Sequence, residues 1–270
     1  MSGRIEARFA ALRAGGRTAL IPFITAGDPL PAATVALMHA LVDAGADVIE
    51  LGMPFSDPMA DGPVIQHADE RALRSKVGIA DILGWVREFR ARDAATPVVL
   101  MGYLNPIEIH GIARFAREAA DAGVDGVLIV DCPIEEDATL HPLRDAGLAR
   151  ILLVAPTTSD ARLTRAVGMA EGYLYYVSFA GITGAAKLSV SDIAPRVRHL
   201  RDQAEVPVAV GFGIKDAASA KAVAAFADAV VIGSALVATL AEARDSDDVQ
   251  RRASQFLTPI RTALDAVTPA

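Results

Sequence analysis

One cysteine, Cys132, is present in 270 residues. A lone thiol excludes an intrachain disulfide and any CxxC metal site. Positive charge is also short: 26 Lys and Arg stand against 33 Asp and Glu, for a formal net charge of −7. No basic stripe is present, which argues against nucleic acid and anionic membrane as partners. No apolar run approaches the roughly 18 residues of a membrane span. The opening MSGRIEARFAALRAGG is amphipathic and mixed in charge, without a signal-peptide layout. Five histidines (39, 67, 110, 141, 199) are dispersed and show no metal-ligand spacing, so they read as surface or packing residues. These absences lead to the expectation of a soluble cytoplasmic protein with no metal site.

What is abundant is apolar surface. Hydrophobic residues make up 52% of the chain and charged residues 22%, enough for a large core and incompatible with disorder. A weak internal repeat organises it. DAGAD at 43–47 precedes VIELG, DAGVD at 121–125 precedes GVLIVD, DAGLAR at 145–150 precedes ILLVAP, and FADA at 226–229 precedes VVIGS. Each time an Ala-rich helical segment stops, usually at a glycine suited to a left-handed C-cap, and a β-branched run begins.

Collecting such runs gives eight strands, at 19–24, 47–52, 98–103, 126–131, 151–155, 173–178, 208–213 and 228–233. Most are nearly continuous apolar runs, the pattern of strands buried on both faces in a parallel sheet. Helical segments alternate with them, weakest in EEDATLHPLRDAG between the fourth and fifth. Eight βα units fit a (β/α)8 barrel, which is typically ~250 residues. No Gly/Ser linker or composition shift divides the chain, and no GxGxxG follows the first strand as an open dinucleotide-binding sheet would require. The expectation is an α/β fold, one (β/α)8 TIM barrel domain over residues 1–270 with an extra N-terminal helix.

Barrel chemistry sits at strand C-termini and in the βα loops. There the sequence places Glu50, then Asp57 and Asp61 in a proline-braced loop, Tyr103 and Asn105, Asp131, Thr157 and Thr158, and Tyr175 and Ser178. Gly211 and Gly213 after the seventh strand, and Gly233 and Ser234 after the eighth, open onto helices whose N–H groups suit a phosphate. Gly181 and Gly184 in AGITGA can close over it. A carboxylate at an apolar barrel mouth loses solvation, which raises its pKa, so Glu50 can take and give a proton near neutrality. The alternative is a Glu satisfied by backbone or a salt bridge. Asp61 either caps the helix that starts near Pro63 or accepts a hydrogen bond from a ligand N–H. Lys187 and Lys215 make a Schiff base conceivable, yet no lysine lies inside a strand. Cys132 has no base beside it in the sequence.

The segments PFITAGDP, IELGMPFSDPMADGPVIQ, LMGYLNPI, YYVSFAGITGA, GFGI and GSA, in this order over nearly the whole chain, resemble the tryptophan synthase α chain family. The resemblance implies retro-aldol cleavage of indole-3-glycerol phosphate to indole and glyceraldehyde 3-phosphate, without metal or organic cofactor. It implies Glu50 as acid/base and Asp61 as holder of the indole N–H. Phe23, Met101 and Tyr175 would surround the indole and the reacting centre. Thr183, Gly184, Gly213, Gly233 and Ser234 would complete the substrate site, the glycines and Ser234 on the phosphate. It also implies a PLP-dependent β chain as partner in an αββα assembly, faced by the loop from Pro54 to Asp61. The sequence departs from the pattern in GFGIKD, where a small residue often follows the Ile, and in SFAGITGAAKLSV, which lacks the arginine that some members carry.

Overall fold

The computed structural model describes residues 3–177, 190–211 and 213–267. The strands are β1 Ala19–Thr25, β2 Ile49–Gly52, β3 Val98–Gly102, β4 Gly126–Ile129, β5 Ala149–Arg150, β6 Leu152–Val154, β7 Leu174–Val177, β8 Val208–Gly211 and β9 Ala229–Ile232. All recorded pairings are parallel, in the order β5-β4-β3-β2-β1-β9-β8-β7-β6. β6 lies within the expected fifth strand, 151–155, and β5 just before it. β5 pairs with β4 and β6 with β7, so the sheet curls round until its ends meet in one stretch of chain. This is the (β/α)8 barrel that the sequence led us to expect.

Helices fill the connections: α1 Arg4–Ala14, α2 Thr34–Asp43, α3 Pro63–Arg74, α4 Ile79–Arg90, α5 Leu104–His110, α6 Ile112–Ala122, α7 His141–Asp145, α8 Asp160–Met169, α9 Val190–Gln203, α10 Ala217–Ala224, α11 Ser234–Leu240 and α12 Ser246–Asp265. The connection with the weakest helical pattern is a 3-10 turn, Ile134–Leu140, running into the five-residue α7. Glu136 breaks the helical dihedrals there (φ −93°, ψ 27°).

Alternation along each strand, invisible in an all-apolar run, sorts the core into two shells. Ala19 and Ile21 of β1, Val48 just before β2, Val99 of β3, Leu128 of β4 and Ala229 and Val231 of β9 point into the barrel. Their neighbours Leu20, Ile24, Ile49, Leu51, Leu100 and Val127 point outward against the helices. The barrel floor is closed by α1, whose Ile5, Phe9 and Leu12 join the interior cluster. Its N-cap, Gly3, makes no side-chain bond. Burial, worth about 1.5–3 kcal/mol for each of these side chains, docks α1 together with Arg4, which bonds Asp125 and the Ala94 carbonyl.

Register then places the functional end. Phe23 pairs with Glu50, and Glu50 with Val99, so the interior position above Ile21 and Val48 is occupied by a phenyl ring and a carboxylate side by side.

Candidate active site

A cavity of about 510 Å³ opens at the C-terminal ends of the strands. Glu50, Asp61, Phe23, Met101, Tyr175, Gly213, Gly233 and Ser234 all border it. Residues from seven parts of the sequence thus meet at one mouth. Thr183 and Gly184, the other two expected contacts, lie outside the described residues, as do Ser178 and Lys187.

Glu50 is fully buried. Its Oε1 accepts a hydrogen bond of 2.6 Å from the Tyr173 hydroxyl, while Oε2 has no partner among the described residues. Burial pushes the Glu50 pKa up from 4.5 to about 7, and the Tyr173 hydrogen bond only partly opposes this. No cationic side chain pairs with it among the described residues. A carboxyl that is neutral about half the time near pH 7 can donate a proton and later accept one.

Asp61 follows a different plan. The helix it was a candidate to cap, α3, has Gly62 at its N-cap and no side-chain cap bond. Its carboxylate turns instead to Tyr103, whose hydroxyl donates to Oδ2 at 2.7 Å and accepts from Ala60 N–H at 3.0 Å. Burial raises the Asp61 pKa above its ordinary 3.8, and the Tyr103 hydrogen bond pulls it back. The Tyr103 hydroxyl thus favours the ionised form of Asp61 and offsets part of the cost of its desolvation.

Glycines make room for the walls. A Cβ on Gly52 would stand 2.6 Å from Phe23 Cζ, and one on Gly211 would overlap the Tyr175 hydroxyl. At the opposite side of the cavity Gly213 adopts φ +48°, a left-handed turn before Ile214 and Lys215. Gly233 caps α11 without a side-chain bond, and Ser234 begins that helix. Main-chain donors of this kind, with the Lys215 side chain at the same rim, suit an anionic group.

Several lining residues escaped the sequence reading. Val130, Leu153, Val177 and Val231 complete the apolar wall. Counting by twos from the interior residues Leu128, Ile151, Tyr175 and Ala229 would have found them. Tyr173 has the same signal, lying two residues before Tyr175 on the inward face. Nothing in the sequence marks its bond to Glu50, which spans 123 positions. Asp131 and Thr158, read as mouth residues, hold backbone: Asp131 Oδ1 accepts from Leu104 N–H, and Thr158 Oγ1 from Ala155 N–H.

The family model described as "Tryptophan synthase alpha chain" matches residues 9–265. This chain belongs to the tryptophan synthase α chain family. It is 62% identical to the tryptophan synthase α chain of Xylella fastidiosa over 265 residues, covering 98% of this chain and 99% of that one. It is 63% identical to that of Xanthomonas oryzae pv. oryzae over 264 residues, covering 97% and 98%. Among solved structures, the tryptophan synthase α subunit of Legionella pneumophila superposes with a TM-score of 0.92 at 44% identity, covering 99% of this chain and all of that one. A chain of Mycobacterium tuberculosis tryptophan synthase superposes at 0.87 with 36% identity, covering 99% and 100%. As a member of the family the chain is a lyase of tryptophan biosynthesis that cleaves indole-3-glycerol phosphate. No helix among the described residues is long and apolar enough to cross a membrane.

Proposed function

We propose that Glu50 and Asp61 carry the retro-aldol cleavage of indole-3-glycerol phosphate to indole and glyceraldehyde 3-phosphate. The observation that carries this reading is Glu50: fully buried, facing the cavity, uncompensated by any described cation, and with a pKa near 7. The neutral carboxyl of Glu50 protonates ring C3 and leaves a cationic indolenine. The carboxylate of Asp61 accepts the ring N–H and stabilises the positive charge that develops there. Glu50, now ionised, takes the proton of the glyceryl hydroxyl next to the scissile bond. The C–C bond breaks, its electrons return to the ring, the hydroxyl carbon becomes the aldehyde, and Glu50 is again neutral.

The remaining lining residues fit supporting roles. Phe23, Met101 and Tyr175 form an indole-sized apolar wall. Gly213, Gly233 and Ser234 present main-chain donors to the phosphate, with Thr183 and Gly184 assigned to the same substrate. Binding at the phosphate supplies orientation to the reacting carbons. No organic cofactor or metal is needed for the proton transfers as written.

We further infer that the chain works with a PLP-dependent β chain in an αββα assembly. Met59, 75% exposed, lies in the loop after β2 that the family resemblance turns toward the β chain, and Ile109 on α5 is 81% exposed. A β chain that fails to co-elute with this chain would overturn the partnership.

Glu50→Gln tests the catalytic reading. It should retain a phosphorylated indole analogue and lower cleavage by about 10²–10⁴-fold, the usual worth of a positioned acid/base. Turnover within tenfold of the parent would remove Glu50 from the role.

A further inference from the structure

The cleavage scheme leaves one buried acid at the mouth unused. Asp69, on α3, is only 4% exposed. It borders the same narrow cleft as Asp61, Phe23, Tyr103 and Met101. The Phe55 N–H lies 3.4 Å from Oδ2 and the Thr25 hydroxyl 3.4 Å from Oδ1. Phe55 lies near the start of the loop that ends in Asp61, and its ring packs on Tyr103, tilted by 31° with centroids 5.1 Å apart. Tyr103 in turn holds Asp61 and Ala60. The loop is thus pinned at one end by Asp69 and at the other by Tyr103, with the two aromatic rings joining the pins.

Among the described residues Asp69 has no cation of its own. Arg71, on the same helix, is engaged by Asp28 at 2.6 and 3.0 Å. The other titratable groups around Asp69 are Asp61 and Tyr103, which line the cleft, and Asp28, which lies outside it. The α11 helix, which also packs on α3, carries none. Burial first, and then the charge of Asp61, push the Asp69 pKa up to about 7.

We propose that Asp69 is a positioning residue that works as a neutral acid, fixing the loop while Asp61 keeps the negative charge of the cleft. Its carbonyl oxygen accepts from Phe55 N–H, and its own hydroxyl donates to Thr25 Oγ1, reversing the bond that the ionised form accepts. Two carboxylates in one dry cleft cannot both ionise cheaply, and the one buried deeper keeps the proton. This inference rests on the reading of Asp61 given above.

Asparagine reproduces the neutral acid in shape and in donor and acceptor. The test is cleavage of indole-3-glycerol phosphate by the full chain with its β chain, comparing Asp69→Asn with the parent at each pH. Taking the ratio cancels the titration of Glu50. The ratio of kcat/KM should lie within about threefold of one at pH 6 and rise by about threefold or more by pH 8.5, where the parent's Asp69 ionises beside Asp61. Asp69→Ala, which releases Phe55, should lower kcat about tenfold with little change in KM. A tenfold loss in Asp69→Asn at pH 6 means that the ionised form is needed and overturns the proposal. So does a ratio flat with pH, or an alanine variant as fast as the parent. If the alanine variant does not fold, the asparagine ratio decides alone. Asp61→Asn, assayed in parallel, separates the two failures. Its full activity would sink the reading of Asp61, whereas an inactive Asp61→Asn beside a flat Asp69→Asn ratio would remove only this inference.

Discussion

At the strand starts, Asp47, Asp125 and Asp228 each accept a hydrogen bond from a backbone N–H at the beginning of another strand: Leu20, Val98 and Val208. Each also meets arginine. Asp47 has Arg261 at 3.0 Å, Asp125 has Arg90 at 2.7 Å and Arg4 at 2.9 Å, and Asp228 has Arg201 at 2.9 Å. At the strand ends, Glu50, Asp61 and Asp69 meet phenols, a threonine and one backbone N–H, and no described arginine or lysine. Asp28 has Arg71 but does not border the cavity. Asp47 and Glu50 lie three residues apart and both are buried, so depth is not the difference. Burial raises both pKa values, but Asp47 has a backbone N–H and nearby arginines pulling it down, whereas Glu50 has one hydroxyl. One end of the barrel uses charge to hold strands together; the other leaves charge uncompensated and available for proton transfer.

The sharpest way to break this contrast is Glu50→Gln, read for stability as well as turnover. The folded pKa of Glu50, about 7, lies above its unfolded 4.5. The folded protein therefore binds more protons between these values, and stability falls as pH rises through that window and stays low above it. The cost at pH 8 is about 3 kcal/mol. Glutamine removes it, so the variant should lose about 10²–10⁴-fold in cleavage and yet unfold at higher denaturant than the parent at pH 8. At pH 4 the two should unfold together. A variant that is both inactive and less stable at pH 8 would place Glu50 with the structural carboxylates.

The mirror experiment is Arg261→Met. It strips Asp47 of its nearest cation and leaves Arg8, 3.8 Å away. Breaking a buried pair on one side costs about 3–5 kcal/mol. Unfolding should shift by that order, while kcat per folded molecule stays within about twofold of the parent. A large kcat loss with little change in stability would mean that the barrel floor takes part in the chemistry.

The repeat DAG-x-D shows how much of this was legible. The strands and the helix stops could be read because both faces of most strands are apolar and a glycine follows the helix in DAGAD, DAGVD and DAGLAR. Gly45 and Gly123 do take positive φ, +102° and +90°. Their second use was hidden. A Cβ at Gly45 would stand 2.5 Å from Arg261, and one at Gly123 2.9 Å from Arg90. The glycine is the gap through which arginine reaches the aspartate two residues on. In DAGLAR no aspartate follows, and Glu171 takes the equivalent backbone bond, from Arg150 N–H. Glu50 and Asp61 were legible from strand-end position and from the family's motif. Their phenol partners were not, because Tyr173 and Tyr103 arrive from 123 and 42 residues away. The split fifth strand was missed for a local reason: the chain before it runs through a kinked 3-10 turn and Pro142, with no sustained period to read.

The smallest effects expected are also the most diagnostic, because they move a pH profile and leave the fold alone. If neutral Glu50 is the proton donor, kcat/KM for cleavage falls as pH rises past about 7. The Tyr173 hydroxyl favours the ionised carboxylate by donating to it. Tyr173→Phe should therefore raise the Glu50 pKa and carry that descending limb upward by about one pH unit or less. Tyr103→Phe acts on the other limb. It withdraws the hydrogen bond that opposes desolvation of Asp61, so Asp61 ionises later and the ascending limb also moves to higher pH. One phenol-to-phenyl change widens the active window and the other narrows it. A descending limb that moves down in Tyr173→Phe, or does not move, would mean that Glu50 does not enter the reaction as the neutral acid.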